Sequence, residues 1–341
     1  MESFVRSALA ARTLPTLLGV LLCALYFLAR SADCLVESAS ALSRRWGISE
    51  ALLGATLVSL GTTTPEAAVS VYAALCGNAD LALGNAIGSI VVDTGFILGL
   101  GALLARPGLA LDTHLMRRHA RVQLFAVCAL GWVTLPRFGA RVHQYVGWLF
   151  LSLLALYLWV SLRWSALPHA PDTRTAALPA DKTDTRSVCR LLLQLGGGIG
   201  FLVLGSRVLI PTVEIMALRA GVPAGIIAAT IIAFGTSVPE LVSAITAVRR
   251  GHGALAVGNI VGADILNVLF VVGAAASLTP HGLPVPKIFS LLHLPAMLLV
   301  VGIFHACALG RRTLTRPAGV LLCAVYGLFV LLNGLLRGTG P

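Results

Sequence analysis

Residues 61–100 read GTTTPEAAVSVYAALCGNADLALGNAIGSIVVDTGFILGL, and residues 235–274 read GTSVPELVSAITAVRRGHGALAVGNIVGADILNVLFVVGA. Aligned without a gap at an offset of 174 residues, they agree at 13 of 40 positions. The agreements include Gly61/Gly235, Thr62/Thr236, Pro65/Pro239, Glu66/Glu240, Gly84/Gly258, Asn85/Asn259 and Gly88/Gly262. Two apolar stretches match by composition alone, but Pro-Glu and Gly-Asn falling in register do not arise that way. The chain contains an internal repeat.

The 341 residues around these motifs are 57% hydrophobic and 11% charged, with a mean hydropathy of +0.90. A soluble domain carries roughly a quarter charged residues, so a water-soluble enzyme is excluded. Apolar segments fall at 14–41, 50–76, 79–104, 121–136, 142–163, 188–218, 223–248, 253–278, 286–309 and 317–336. At about 20 apolar residues per crossing, the pattern predicts an all-α integral membrane protein with ten transmembrane helices. The first segment has arginines before it, as a signal peptide would. It continues with helical periodicity through Ala32, Leu35 and Ala39 without a small-residue cleavage site, and so reads as a retained helix. The interval 164–187, with Pro168, Pro171 and Pro179, reads as a linker. It separates a first membrane repeat, 1–163, from a second, 188–341.

Lys and Arg number 25 against 14 Asp and Glu. In this setting the excess orients the chain in a bilayer, with no role for nucleic acid. Ten spans place sixteen basic residues, among them Arg117, Arg118, Arg249 and Arg250, on one side, and seven on the side of both termini. The positive-inside rule puts the richer side, including the linker, in the cytoplasm and both termini outside the plasma membrane. Five spans per half means that similar halves must be inverted relative to each other. The seven cysteines show no CxxC spacing and read as small buried hydrophobes.

Each copy of the repeat holds a helix-breaking signature inside a span. Pro65 and Pro239 donate no backbone hydrogen bond, and their rings crowd the carbonyls of Gly61 and Gly235. Freed carbonyls at membrane depth are tolerated where they line a site. On a helix Thr62 lies four and Thr63 three residues before Glu66, so hydroxyl, carbonyl and carboxylate converge. Asn85, Ser89 and Asp93 form a second polar stripe whose counterpart is Asn259, Ala263 and Asn267. Proline kinks and small-residue packing are common in membrane helices and account equally well for any single Gly or Thr here. They do not account for Glu66, Asp93 and Glu240. A carboxylate near the bilayer centre costs roughly 2.5–3.5 kcal/mol on the lenient insertion scale, and no Lys or Arg shares the first repeat's spans with them. Hard oxygens around uncompensated carboxylates suit Ca²⁺ or Na⁺.

GTTTPE with GNAIGS, and GTSVPE with GNIVGA, resemble the two alpha-repeats of the calcium/cation antiporter superfamily, most closely its prokaryotic sodium/calcium exchangers. The resemblance covers the ten-span pattern as well as the motifs. It implies the sodium/calcium exchanger fold, with inverted five-helix repeats. Cations would bind at the midplane between broken second, third, seventh and eighth helices, and the first and sixth would slide across them. It implies Glu66 and Glu240 as carboxylates shared by Ca²⁺ and Na⁺. Thr62, Thr63, Thr236 and Ser237 would supply hydroxyl and carbonyl oxygens, and Ser89 a further hydroxyl. Ser59 and Ala233, seven residues before each glutamate, would offer backbone carbonyls only. Asp93 and Asn267 look exchanged relative to the archaeal type, which carries Asn in the first repeat and Asp in the second. Many relatives have Ser-Asn after the third-helix glycine, where this chain has Ser89-Ile90 and Ala263-Asp264. Ala263 removes one hydroxyl from a Na⁺ site, and Asp264 adds an acidic group one position round the helix.

Other polar residues allow two readings each. Asp33 and Glu37, with Arg30 nearby, are either an ion entrance or an ion pair, and Arg207 with Glu214 is the same. His293 and His305 are either a proton relay or packed histidines. GGGIG at 196–200 follows no strand and reads as helix packing. With no HExxH, GxSxG or Walker sequence, ATP-driven pumping and proteolysis have no support. The sequence points to a transporter without a cofactor or an obligate protein partner. The expected reaction is exchange of Ca²⁺ for Na⁺, with Ca²⁺/H⁺ or other cation/proton exchange as the alternative and a passive channel behind both; K⁺ participation is open.

Overall fold

A computed structural model describes residues 2–106, 108–111, 114–135, 140–165, 186–220, 233–310 and 313–338. The first ten residues of the expected seventh span, 223–232, and most of the linker, 166–185, lie outside the described residues. The protein is helical: α1 (Glu2–Ala10), α2 (Leu14–Trp46), α3 (50–75), α4 (Ala79–Leu104), α5 (His114–Val133) and α6 (Gln144–Ser165) make up the first part. The second part holds α7 (Val188–Arg219), a short turn at Ala233–Gly235, α8 (Val238–Arg249), α9 (Gly253–Ser277), α10 (289–310) and α11 (Arg316–Gly338). Seven helices among the described residues are long and apolar enough to cross a bilayer.

Local chemistry sets the helix ends. The side chains of Ser49, Asn78 and Ser187 accept hydrogen bonds from the first-turn amides of Leu52, Leu81 and Arg190. Gly47 closes α2 at φ 65, a left-handed conformation that glycine adopts without penalty. Two antiparallel bridges tie loops of the two parts together: β1 (Leu109–Ala110) with β4 (Thr313–Leu314), and β2 (Arg141–Val142) with β3 (Leu283–Pro284).

The structure corrects two local expectations. α5 begins at His114, seven residues before the apolar run at 121, so Arg117, Arg118 and Arg121 lie on the helix. Arg118 lies 5.4 Å over the ring of Trp164, which shows how a basic side chain belongs to a helix end that hydropathy alone omits. The two prolines also behave differently. α3 runs through Pro65 as continuous helix, while the hydroxyls of Thr62 and Thr64 bond the carbonyls of Ser59 and Leu60. In the second repeat the chain does break, at Thr236 and Ser237, and Pro239 sits in the first turn of α8, where its missing donor is harmless. Instead of breaks, α3, α4 and α9 carry wide π-type turns at Gly54–Val58, Val91–Ile97 and Asn267–Val272.

α9 is the centre of the bundle, buried without interruption from Leu255 to Leu266. It lies against α3 backbone to backbone. A Cβ on Gly54 would stand 2.5 Å from the Leu255 carbonyl oxygen and 2.8 Å from the Asn259 nitrogen. One on Gly262 would stand 2.6 Å from Ala55 Cα and from Ser59 Oγ. Lipid supplies no hydrophobic drive between helices, so such close van der Waals contact is what joins them. α2 and α7 pack along each other at the periphery, with Gly198 of the GGGIG run against Leu35 and Ser31, as a packing role requires.

Gly262→Val is expected to lower unfolding stability in detergent by about 1–3 kcal/mol through overpacking. Gly196→Ala, with nothing within 4 Å of its added Cβ, should not lower the thermal midpoint, since alanine favours the helix over glycine. Equal midpoints for wild type and Gly262→Val would show that the α3–α9 approach is looser than described.

Candidate cation site

Where α3, α4, α8 and α9 meet, the repeated motifs converge. Ser59, Thr62, Thr63 and Glu66 line the inner side of α3; Ser89 and Asp93 come from α4, Ser237 and Glu240 from the start of α8, and Asn267 from α9. All nine are buried, with Glu66, Asp93, Glu240 and Asn267 each at 1% exposure. Thr236 is half-buried, and Ala233 opens the short turn that precedes α8.

The three carboxylates stand close enough to repel: Glu66 feels both Glu240 and Asp93, and Asp93 feels Glu240. The Thr62 hydroxyl faces Glu240, and the Ser237 hydroxyl faces Asp93. Yet Glu66 Oε2, both Glu240 oxygens, Asp93 Oδ1, Asn267 Oδ1 and the hydroxyls of Thr63, Ser89 and Ser237 are buried without a hydrogen-bond partner. Buried polar atoms are normally paired, so a concentration of orphaned oxygens marks a place built for something else. Among the described residues no basic side chain pairs with these carboxylates, and no three acidic, His or Cys groups close into a metal cluster by themselves. Any cation held here draws on hydroxyl, amide and carbonyl oxygens as well.

Amides hold the walls of the pocket. Asn85 Nδ2 donates to the Glu66 carbonyl at 3.1 Å and to Ser70 Oγ at 3.0 Å, while its Oδ1 accepts from Thr236 Oγ1 at 3.1 Å. One side chain thus links the glutamate helix of the first repeat to the broken turn of the second. Its counterpart Asn259 donates to Ser243 Oγ at 3.1 Å. Asp264 turns to Thr94 and to Gln123 of α5. Gln123 escaped the motif reading because it is a lone amide in an apolar span outside the repeat; a buried polar residue at that depth was the available signal.

The residues with two readings resolve as structure. Asp33 and Glu37 are paired, chiefly with Arg250 from the α8–α9 turn at 2.8 and 2.6 Å, and Arg30 reaches Asp33 at 3.5 Å. His252 in the same turn meets Glu50 at 2.8 Å, and Ser40 donates to the same glutamate oxygen at 2.7 Å. Glu214 pairs with Arg6 of α1 instead of Arg207. His305 lies between the carbonyls of Val301 and Ala120 at 2.9 and 2.7 Å, and His293 stacks on Phe289 with its Nε2 3.2 Å from Asn333 Oδ1. Both histidines are packed into the bundle.

Asn85→Leu is expected to cost about 1–3 kcal/mol of unfolding stability, the usual penalty for stranding buried partners. In a double-mutant cycle Asn85→Leu and Thr236→Val should couple by about 0.5 kcal/mol or more. Strict additivity of the two losses would mean that the bond between the repeats is absent.

Comparison with known proteins places this geometry. The model of the family described as "Sodium/calcium exchanger protein" matches residues 16–163 and 190–335. The chain is 34% identical over 306 residues to the inner membrane protein YrbG of Escherichia coli, covering 89% of this chain and 92% of that protein. It is 25% identical over 341 residues to the sodium/calcium exchanger MaX1 of Methanosarcina acetivorans, covering 91% and 96%. Among solved structures it superposes on the sodium-calcium exchanger NCX_Mj with a TM-score of 0.79 at 23% identity, covering 94% of this chain and 99% of that one, which shows a shared fold. The chain belongs to the sodium/calcium exchanger family of membrane proteins, and it is a cation antiporter and not an enzyme.

Proposed function

We propose that the chain exchanges Ca²⁺ for Na⁺ across the plasma membrane by alternating access, with Glu66 and Glu240 as ligands common to both ions. The observation that carries this reading is the set of orphaned oxygens on Glu66, Glu240, Asp93, Thr63, Ser89, Ser237 and Asn267, buried with no basic partner among the described residues. Ca²⁺ takes six to eight oxygens, mixing carboxylate, carbonyl and neutral donors. Three carboxylates leave one negative charge unbalanced when a single Ca²⁺ is bound, and monovalent cations compete for the same oxygens. Occupancy by one ion type excludes the other, and that exclusivity makes exchange possible without simultaneous binding.

Ten spans in two inverted five-helix repeats, 1–163 and 188–341 around a cytoplasmic linker, accompany this reading. It is supported by the repeated motifs, by the two matched segments and by paired wide turns in α4 and α9. Discontinuous helices meeting at mid-membrane are the usual form of such a binding site. α2 and α7, mostly exposed on their outer faces and packed on each other, are the pair suited to slide across the core. The sixteen-to-seven distribution of basic residues supports an orientation with both termini outside.

Proton exchange is the second reading, and Ala263 favours it. This fully buried position lacks the hydroxyl that Ser89 offers in the first repeat, so one Na⁺ site is short of a ligand. The deciding experiment is ⁴⁵Ca²⁺ uptake into proteoliposomes, first under an outward Na⁺ gradient and then under a pH gradient. Uptake driven by Na⁺ supports the primary reading; uptake driven only by protons replaces it.

Glu66→Gln and Glu240→Gln are each expected to abolish Ca²⁺ uptake while the protein remains inserted, since the amide keeps the shape and loses the charge that offsets dehydration. Near-normal uptake in either variant would contradict a shared site. For orientation, in a background with the seven native cysteines replaced by serine, Asp181→Cys should resist an impermeant thiol reagent in intact cells and react after permeabilisation. Labelling in intact cells would reverse the topology.

A further inference from the structure

Gln123 lies fully buried on α5, a helix outside both copies of the repeated motif. Its Nε2 donates to Asp264 Oδ2 at 2.5 Å and reaches Thr94 Oγ1 at 3.4 Å. The Thr94 hydroxyl donates to the same Asp264 oxygen, also at 2.5 Å. All three residues are fully buried. One carboxylate oxygen on α9 is therefore fastened from two directions, by α5 and by the wide turn of α4.

That turn, Val91–Ile97, also carries Asp93, the residue immediately before Thr94. A π-type turn holds an extra residue, so helix geometry alone does not dictate where its side chains project. The Thr94–Asp264–Gln123 tie supplies the missing constraint. Asp264 also acts electrostatically on Asp93, so its position sets part of the field in which Asp93 stands. Its contacts with Thr94 and Gln123 account for Asp264 Oδ2, while Oδ1 and Gln123 Oε1 have no partner. Two donors on a single oxygen fix a carboxylate in one orientation, and losing either one releases it.

Building on the cation-antiporter reading above, we propose that Gln123 is a positioning residue for the cation pocket. With Thr94 it holds Asp264 against α5, which fixes the turn that presents Asp93. Gln123 itself touches no cation. The plain alternative is a buried amide that only contributes to packing, and that alternative makes different predictions.

The test uses the purified full-length protein in detergent, with Ca²⁺ binding followed by calorimetry and the cation-free thermal midpoint measured in parallel. Gln123→Met keeps the length of the side chain and removes its amide. It is expected to weaken Ca²⁺ binding about tenfold, the loss of one hydrogen bond to a charged group. Thr94→Val, which releases the same carboxylate oxygen from the other side, should shift the affinity in the same direction and guards against a fold defect peculiar to Gln123→Met. In an Asp264→Leu background, which leaves no acceptor for the Gln123 amide, Gln123→Met should change the affinity by less than about twofold. A packing role predicts lower thermal midpoints in both backgrounds with unchanged Ca²⁺ affinity, and that result overturns the proposal. A wild type that binds Ca²⁺ while Gln123→Met and Thr94→Val bind equally well contradicts this inference alone. A wild type that binds no Ca²⁺ contradicts the antiport reading and this inference with it.

Discussion

Glu66, Asp93 and Glu240 are buried together at the centre of an apolar bundle, and among the described residues no basic side chain is paired with them. Everything else in the structure either tolerates that arrangement or uses it. Isolated ionised carboxylates in such surroundings are strongly unfavourable, and nothing among the described residues neutralises three of them. The compensating charge has to come from outside, and it has to be able to leave again. A protein arranged this way gains stability when a cation enters and loses it when the cation departs, which links occupancy of the site to the conformation around it.

Holding such a pocket together in lipid requires dense packing immediately beside it. Glycines provide this, because Gly54, Gly258 and Gly262 let α3 and α9 touch through their backbones within about three turns of the ligand residues. The amides do the complementary work. Asn85 joins the two repeats across the pocket through Glu66 and Thr236, and Asn259 does a more local job with Ser243. The halves have therefore diverged where they meet. The first keeps a continuous helix through Pro65 and the second breaks before Pro239, and the asymmetry between Asp93 and Asn267 runs alongside that difference. At one end of the bundle Arg250 binds α2 to the α8–α9 turn by ion pairs and His252 hydrogen-bonds Glu50 of α3, so charge that would be costly in the membrane core is kept at its margin.

The repeat itself was legible because its key residues are expensive in a membrane helix: a carboxylate four residues after a threonine, next to a proline, twice in register. Helix positions were legible from hydropathy wherever the flanks were apolar. They were misread at α5, whose opening turns carry Arg117, Arg118 and Arg121 and look like loop. The fate of Pro65 was not legible, because a proline removes one donor, and whether the helix then gives way depends on the packing around it, which no local pattern encodes. Arg250 as the partner of Asp33 and Glu37 joins residues more than 200 positions apart, and no local pattern encodes that pairing. Gln123 was invisible for a related reason. Its meaning lies in Asp264 and Thr94, which reach it only once three helices have packed.

The central claim is that one cation sits between the two repeats with both glutamates as ligands. Crystals soaked in Sr²⁺, a heavy stand-in for Ca²⁺, give the most direct test through anomalous diffraction. The account predicts a single strong peak between the carboxylates of Glu66 and Glu240, weakened when Na⁺ is raised. Peaks confined to the ion pairs at the bundle margin, with nothing between the glutamates, would contradict it.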